Sequence, residues 1–188
     1  MNHEGSDYDY FICYVASSKD ILLGTKNATK SEFINYDEKD VDESWHEIGT
    51  LVDGLIDGNW NYLLGVLAIK IYGGEDYEWL LDFVKNHPAK NFYHAINGMA
   101  LQNYKKYIVN GKDASPERIK KIVRTIEFGI KYLKDGTIDF RPGIETTPEG
   151  ILKDLDDLEK AYDSSSLPLS IPEKELKEWM LKIRLKNL

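Results

Sequence analysis

The clearest hydrophobic pattern in the chain is the run from Tyr8 to Val15, where aromatic and aliphatic residues follow one another. Side chains alternate between the two faces of a strand, and beyond Asp9 both faces of this run are apolar. The pattern therefore predicts a strand that lies inside a sheet and is covered on both sides, with Cys13 buried as a small hydrophobic residue. A second extended segment is predicted for residues 31–42.

A change of period follows this extended part of the chain. From about Ser44 the apolar residues recur at helical spacing and form one stripe that ends at Gly58. His46 and Glu47 are interpreted as residues of the first turn of that helix, where a negative charge suits the helix dipole.

The remainder of the chain has the pattern of a helical protein. Ser115 and Pro116 supply an N-cap and a first-turn proline for a long helix that stops at Gly136. Gly73 and Gly74 mark the predicted boundary between a domain at 1–72 and a helical lobe at 73–188. We therefore predict an α+β fold, with a partial mixed β-sheet followed by an antiparallel helical lobe. The other predicted helices are 59–71, 76–86, 89–109, 147–162 and one after Pro172.

Charge is distributed unevenly along the chain, whose formal net charge is −8. Residues 1–72 contain 13 Asp/Glu and 5 Lys/Arg, whereas residues 73–188 contain 19 of each. The acidic front part fits a cation-binding centre, and the neutral back part has room for a local basic surface. The net charge argues against a tight, non-specific grip on nucleic acid, and the lysines at 105, 106, 120, 121 and 131 are interpreted as a solvated helix face.

Composition also narrows the cellular setting. No segment approaches the ~20 consecutive apolar residues that span a bilayer. The N-terminus lacks the basic and apolar regions of a secretory signal, and a single cysteine excludes an internal disulfide. We therefore predict a cytoplasmic protein without a membrane partner.

The main candidates for functional residues are two aspartates at the start of the first predicted strand. Asp7 and Asp9 share one face of an extended segment, with Cα atoms ~7 Å apart. Two carboxylates at that spacing can share a pair of Mg²⁺ ions, and Mg²⁺ needs little more than one or two carboxylates plus substrate phosphates. Asp-x-Asp also occurs at Asp40/Asp42 and at 154–156, so the spacing by itself favours a solvated turn that leads into a strand.

Ser6-Asp7-Tyr8-Asp9 before a hydrophobic strand resembles the Ser-Asp-x-Asp element of the DNA polymerase β-type nucleotidyltransferase superfamily. The rest of the chain resembles one branch of that superfamily, the predicted nucleotidyltransferases linked to RNA repair. Three further segments carry the resemblance in the order found in the family. They are His46-Glu47-Ile48 leading to Gly58-Asn59-Trp60-Asn61, Ile122-Val123-Arg124 leading to Gly136, and Ser166-Leu167-Pro168.

The resemblance implies transfer of a nucleoside monophosphate from an NTP to a hydroxyl acceptor, with RNA as the suggested acceptor. It implies that Asp7 and Asp9 hold two Mg²⁺ ions and that a third carboxylate, Asp40 or Asp42, comes from a neighbouring strand. Both candidates for the third position stay open.

Nucleotide contacts are predicted for Ser6, for Asn59, where the resemblance adds weight, and for Arg124, which neighbours the apolar stripe of its helix. The planar guanidinium of Arg124 suits a phosphate, and the Asn59 amide beside Trp60 suits a nucleobase. The alternative for Asn59 is a purely structural one, because Gly58-Asn59 is also a good helix terminator.

The chain departs from the family at the phosphate-binding turn. Family members carry a Gly-Ser pair roughly a dozen residues before the first aspartate, on a turn whose amides grip the triphosphate. Here Gly5-Ser6 directly precedes Asp7, so we expect the turn to be missing, together with the strand and helix before it. Either the start is misplaced or truncated, or the chain is a non-catalytic nucleotide-binding or protein-interaction module derived from that fold.

Overall fold

The computed structural model describes residues 8–24, 29–36, 39–68, 73–138 and 147–186. The chain divides into two compact units. One contains the described residues up to Leu55 together with those from Pro172 onward, and the other is Ile56–Ile171. The elements are β1 (Tyr8–Tyr14), α1 (Ser18–Leu23), β2 (Thr29–Tyr36), β3 (Lys39–Glu47), α2 (Ile48–Ile56), α3 (Trp60–Leu67), α4 (Glu75–Asn86), a 3₁₀ turn (Lys90–Phe92), α5 (Tyr93–Asn103), a π-helix (Tyr104–Val109), α6 (Pro116–Asp135), α7 (Gly150–Ser164) and α8 (Glu173–Lys186).

The three described strands form a mixed sheet in the order β1-β3-β2. Strand β1 runs parallel to β3, from Tyr8 opposite Val41 to Tyr14 opposite Glu47. Strand β2 is antiparallel to β3 and joins it as a hairpin. The predicted α+β class and the mixed sheet are therefore confirmed.

The boundaries of the extended region were predicted wrongly. The segment 31–42 is not one strand but parts of two, and β3 continues to Glu47. His46 and Glu47 are therefore the last two residues of strand β3 and not the first residues of a helix. Helix α2 begins only at Ile48. The physical reason is tertiary: Trp45 is paired with β1 on one side and β2 on the other, and this double pairing overrides the local helical spacing.

Strand β1 is less enclosed than its apolar sequence predicts. In the described part of the chain it pairs only with β3, and it therefore occupies the edge of this sheet. Its side chains from Asp9 to Tyr14 are half-buried or exposed, and Cys13 is exposed rather than buried. The exposure of Cys13 contradicts its predicted burial, whereas the position of β1 inside a larger sheet stays a prediction, because residues 1–7, 25–28, 69–72 and 139–146 lie outside the described part of the chain.

The helical unit has an aromatic centre. The buried ring of Tyr132 meets Trp60 at 5.7 Å and Phe92 at 5.8 Å, both edge-on. Its hydroxyl accepts a hydrogen bond from the backbone N–H of Ala89 at 3.0 Å, which satisfies a buried donor. Burial raises the pKa of Tyr132 to about 12.

Helix α6 confirms its predicted ends. The hydroxyl of Ser115 accepts from the N–H of Arg118, and Gly136 terminates the helix with φ of 71°. The predicted helix at 89–109 is instead a composite of a 3₁₀ turn, α5 and the π-helix. Among the helices that the structure describes, none is both long enough and apolar enough to cross a membrane.

Gly129 allows close packing of α5, α6 and α7. A methyl group at this position would lie 2.7 Å from Cγ2 of Ile96 and 3.0 Å from Cδ1 of Leu158, both buried. We expect Gly129→Ala to lower the free energy of unfolding by about 1–3 kcal/mol, because an extra carbon in a filled core forces its neighbours apart. Urea unfolding followed by circular dichroism measures the change.

Gly98 in α5 provides the matched control, since a methyl group there would meet nothing within 4 Å. Gly98→Ala should leave stability unchanged or raise it by up to about 1 kcal/mol through helix propensity. Equal effects of the two substitutions would contradict the close packing assigned to Gly129.

Candidate functional site

Two of the predicted acidic residues face each other on neighbouring strands. Asp9 of β1 and Asp42 of β3 are partners in the parallel register. Partners in such a pair lie on the same face of the sheet, with the strands ~4.8 Å apart. Both residues are exposed and stand near the N-terminal ends of their strands. The fold therefore brings together two carboxylates that are 33 positions apart in the sequence.

These two carboxylates are not neutralised by the described part of the protein. Neither Asp9 nor Asp42 forms an ion pair or a side-chain hydrogen bond with another described residue. Like charges opposite each other on adjacent strands repel. A cation between the strands would replace this repulsion by attraction, which makes the pair a candidate cation site.

The face that carries Asp9 and Asp42 continues as a mixed surface. Further along it, the ring of His46 stacks on Phe11 with their centroids 4.5 Å apart. Burial lowers the pKa of His46, so the imidazole is neutral at pH 7. His46 lies four residues beyond Asp42, a distance of ~13 Å along a strand, which is too far for both to ligate one ion.

The remaining predicted acids are placed only in part. Asp7 and Ser6 lie outside the described residues. Asp40 belongs to β3, where its Cα partner is Asn35 of β2, but its side chain is outside the described part. The register thus identifies Asp42 as the partner of Asp9 and leaves Asp40 as a second candidate two residues earlier.

The far end of β3 is fixed by a buried ion pair that the sequence did not predict. Glu47 is fully buried, and its Oε1 accepts from Nη2 of Arg184 in α8 at 2.7 Å. Its Oε2 accepts from the backbone N–H of Gly49 at 2.8 Å. A methyl group on Gly49 would lie 2.6 Å from Nη2 of Arg184, so only glycine leaves room for this arrangement. The pair fixes the strand that carries Asp42.

The residues of the helical unit that were predicted to contact a nucleotide make contacts within the protein itself. Oδ1 of Asn59 accepts from the N–H of Asn61 and caps α3. Trp60 is fully buried, so its indole is part of the core. Arg124 is half-buried in α6 with its guanidinium 5.6 Å from the ring of Phe128, and its buried Nε has no hydrogen-bond partner among the residues that the structure describes. Nucleotide binding by Asn59 and Arg124 stays a prediction.

The donor set of the Asp9–Asp42 pair suits a hard divalent cation. Carboxylate oxygens are the ligands that Mg²⁺ prefers, and Mg²⁺ sites often use only one or two of them, with water and phosphate oxygens completing the shell. Within the ranges that the structure describes, no group of three or more His, Cys, Asp or Glu side chains is placed to hold a metal ion.

Comparison of the chain with protein-family models, with curated proteins and with solved structures finds no match. The case for a function therefore depends on the geometry of the chain itself.

Proposed function

We propose that this protein is a nucleotidyltransferase-like protein that moves a nucleoside monophosphate from an NTP to a hydroxyl acceptor, with RNA as the suggested acceptor. The observation that supports the proposal is the pairing of Asp9 with Asp42 across parallel strands. This is the arrangement that the Ser-Asp-x-Asp resemblance requires, one carboxylate from the first strand and one from its neighbour. Asp7 and Asp40 would complete the set.

The protein's part in this chemistry is to bind and to orient. Asp9 and Asp42 would hold Mg²⁺ between β1 and β3, and Asp7, two residues before Asp9 in the sequence, would be a further donor. When bound, Mg²⁺ would neutralise negative charge on the α-phosphate that the hydroxyl attacks and on the pyrophosphate that leaves, which lowers the barrier to transfer. A carboxylate of β3 would accept the proton of the attacking hydroxyl, which requires Asp42 or Asp40 to be ionised.

The first test is cation binding by the chain as it exists. Titration with Mn²⁺, followed by electron paramagnetic resonance, should show saturable binding. Asp42→Asn removes one of the two paired carboxylates. It should weaken Mn²⁺ binding by about tenfold or more, which corresponds to about 1.4 kcal/mol. Labelled NTPs with candidate RNAs then test transfer, which Asp9→Asn or Asp42→Asn should slow by about 10²–10³-fold.

Asp53→Asn is the matched control, because Asp53 is an exposed aspartate of α2 in the same unit and carries the same charge change. It should leave both measurements unchanged. Saturable Mg²⁺-dependent ATP binding without transfer would support the alternative, a non-catalytic nucleotide-binding module. Mn²⁺ binding that is indifferent to Asp9 and Asp42 would refute the cation site.

A further inference from the structure

The middle of the chain is strongly basic although the whole protein is acidic. Between Phe83 and Ile126 the sequence has nine Lys/Arg and two Asp/Glu, against a net charge of −8 for the chain. The stretch from Phe83 to Lys112 contains no acid at all. All of these residues belong to the helical unit. The basic stretch is therefore a local feature of a unit that, over residues 56–171, contains 15 Lys/Arg and 17 Asp/Glu.

Two cations of this stretch lie over the ring of one tyrosine, and a third lies in the loop that follows. The guanidinium carbon of Arg118 lies 4.1 Å from the ring centre of Tyr107, and Nζ of Lys106 lies 4.9 Å from it. A hydrogen bond from Lys106, together with the charges of Lys106, Arg118 and Lys112, lowers the pKa of the Tyr107 hydroxyl. Residues from the π-helix, the following loop and α6 thus form one cluster.

The backbone of the π-helix builds this cluster. The N–H of Asn110 donates to the carbonyl of Lys105, five residues earlier, and the N–H of Asp113 donates back to the carbonyl of Tyr107. The loop is folded against the π-helix, which returns Lys112 to the neighbourhood of Tyr107. Helices of this type are rare and frequently occur at functional sites.

The two acids of the region neutralise only part of this charge. Asp113 pairs with Arg118 at 3.2 Å and accepts from the N–H of Ser115, and Glu117 pairs with Lys121 at 3.0 Å. Lys105, Lys106 and Lys112 are exposed. They form no ion pair with any carboxylate in the described part of the chain. Within the described ranges, the surface therefore carries at least three cations that no carboxylate pairs with.

We propose that this surface, Lys105, Lys106, Tyr107, Lys112 and Arg118, binds single-stranded nucleic acid. Several cations spread over a π-helix and a loop match a chain of phosphates better than a single anion. Single strands are bound by a basic surface combined with aromatic rings on which bases stack, and Tyr107 supplies an aromatic ring within this surface. The proposed binding of a single strand does not depend on the transfer activity. Only the further interpretation, that the bound strand is the acceptor in that transfer, rests on the proposed function.

The number of cations sets the expected salt dependence. For single strands, log K falls with log[salt] with a slope of about −0.7 for each phosphate contact. Three to four contacts therefore give a slope of about −2 to −3, and each contact contributes about fivefold to the affinity at about 0.1 M salt.

Fluorescence anisotropy with a labelled single-stranded RNA of about 20 nucleotides, in EDTA and at several KCl concentrations, tests the proposal. The double variant Lys106→Gln/Lys112→Gln should bind about 25-fold more weakly at about 0.1 M KCl, with a slope shallower by about 1.4. Lys134→Gln/Lys153→Gln, with the same charge change on exposed lysines of the same unit, should stay within about threefold of wild type.

Tyr107 provides a second and independent measurement. Tyr107→Phe keeps the ring and should bind RNA as wild type does, whereas Tyr107→Leu should bind about tenfold more weakly through loss of a stacking ring. Circular dichroism checks that each variant is folded. Equal losses from the two lysine pairs would overturn the proposal. Equally tight binding of the wild type to anionic phosphatidylserine vesicles would also overturn it.

Failure of this proposal can be separated from failure of the cation site. Asp42→Asn should leave RNA binding in EDTA unchanged, and Lys106→Gln/Lys112→Gln should leave Mn²⁺ binding unchanged. RNA binding that is lost in both variants, or in neither, contradicts the surface defined here.

Discussion

Replacing Arg184 by methionine is expected to lower the free energy of unfolding by about 3–5 kcal/mol. The guanidinium is the cation that faces the fully buried carboxylate of Glu47, at 2.7 Å. Removing it takes away the positive charge that contacts a buried carboxylate, and the loss of one partner of a buried ion pair is far more costly than the net worth of the contact. Urea unfolding followed by far-ultraviolet circular dichroism measures the loss.

A double variant separates the buried charge from simple loss of packing. Glu47→Gln/Arg184→Met should recover most of the lost stability, because a buried ion pair is often replaced by neutral groups at little cost. Lys182→Met is the control on the same helix, where the lysine is exposed, and should change stability by no more than about 0.5 kcal/mol. A double variant as unstable as Arg184→Met alone would show that charge is not the cause.

Trp60→Ala is expected to have a similarly large effect, about 3–5 kcal/mol, on the helical unit. The indole is 1% exposed and packs edge-on against Tyr132, so its removal leaves a large cavity at the aromatic centre. Trp60→Phe should cost less, since a ring still fills most of the space. The same unfolding measurement applies, with circular dichroism as the signal because a fluorophore is removed.

Trp79 is the natural comparison for Trp60. It stacks on Phe83 at 5.0 Å but is 38% exposed, so Trp79→Ala should cost only about 1 kcal/mol. The experiment also bears on the predicted nucleobase contact near Asn59. If Trp60 read a base, Trp60→Phe would weaken Mg²⁺-ATP binding while leaving stability nearly intact. A core role predicts the opposite pattern.

Elements defined by local signals could be predicted from the sequence. The Ser115 cap, Pro116 and Gly136 bracket α6 because each acts on its own helix end. Strand β1 was also recognisable, since a run of aromatic and β-branched residues favours extended structure. The neighbouring strand was not, because the residues from Ser44 to Glu47 are held extended by two partners that are distant in the sequence.

The candidate site was predicted as a set of residue types but not as a geometry. The sequence left Asp40 and Asp42 equivalent, and only the register of β1 against β3 pairs Asp42 with Asp9. The ion pair of Glu47 joins residues 137 positions apart, which no local pattern could indicate. The Tyr107 cluster was missed for another reason. Its lysines look like an ordinary solvated helix face until the π-helix and its loop bring them together.

The sheet unit is assembled from two pieces of chain separated by the whole of Ile56–Ile171. Proteins leave the ribosome from the N-terminus, and compact units generally fold as they are completed. The whole of the intervening helical unit is therefore synthesised before α8, and during that time the strands lack Arg184. Until α8 emerges from the ribosome, the three strands are already synthesised but Glu47 lacks its ion-pair partner Arg184. Chaperones can bind the nascent chain during this interval.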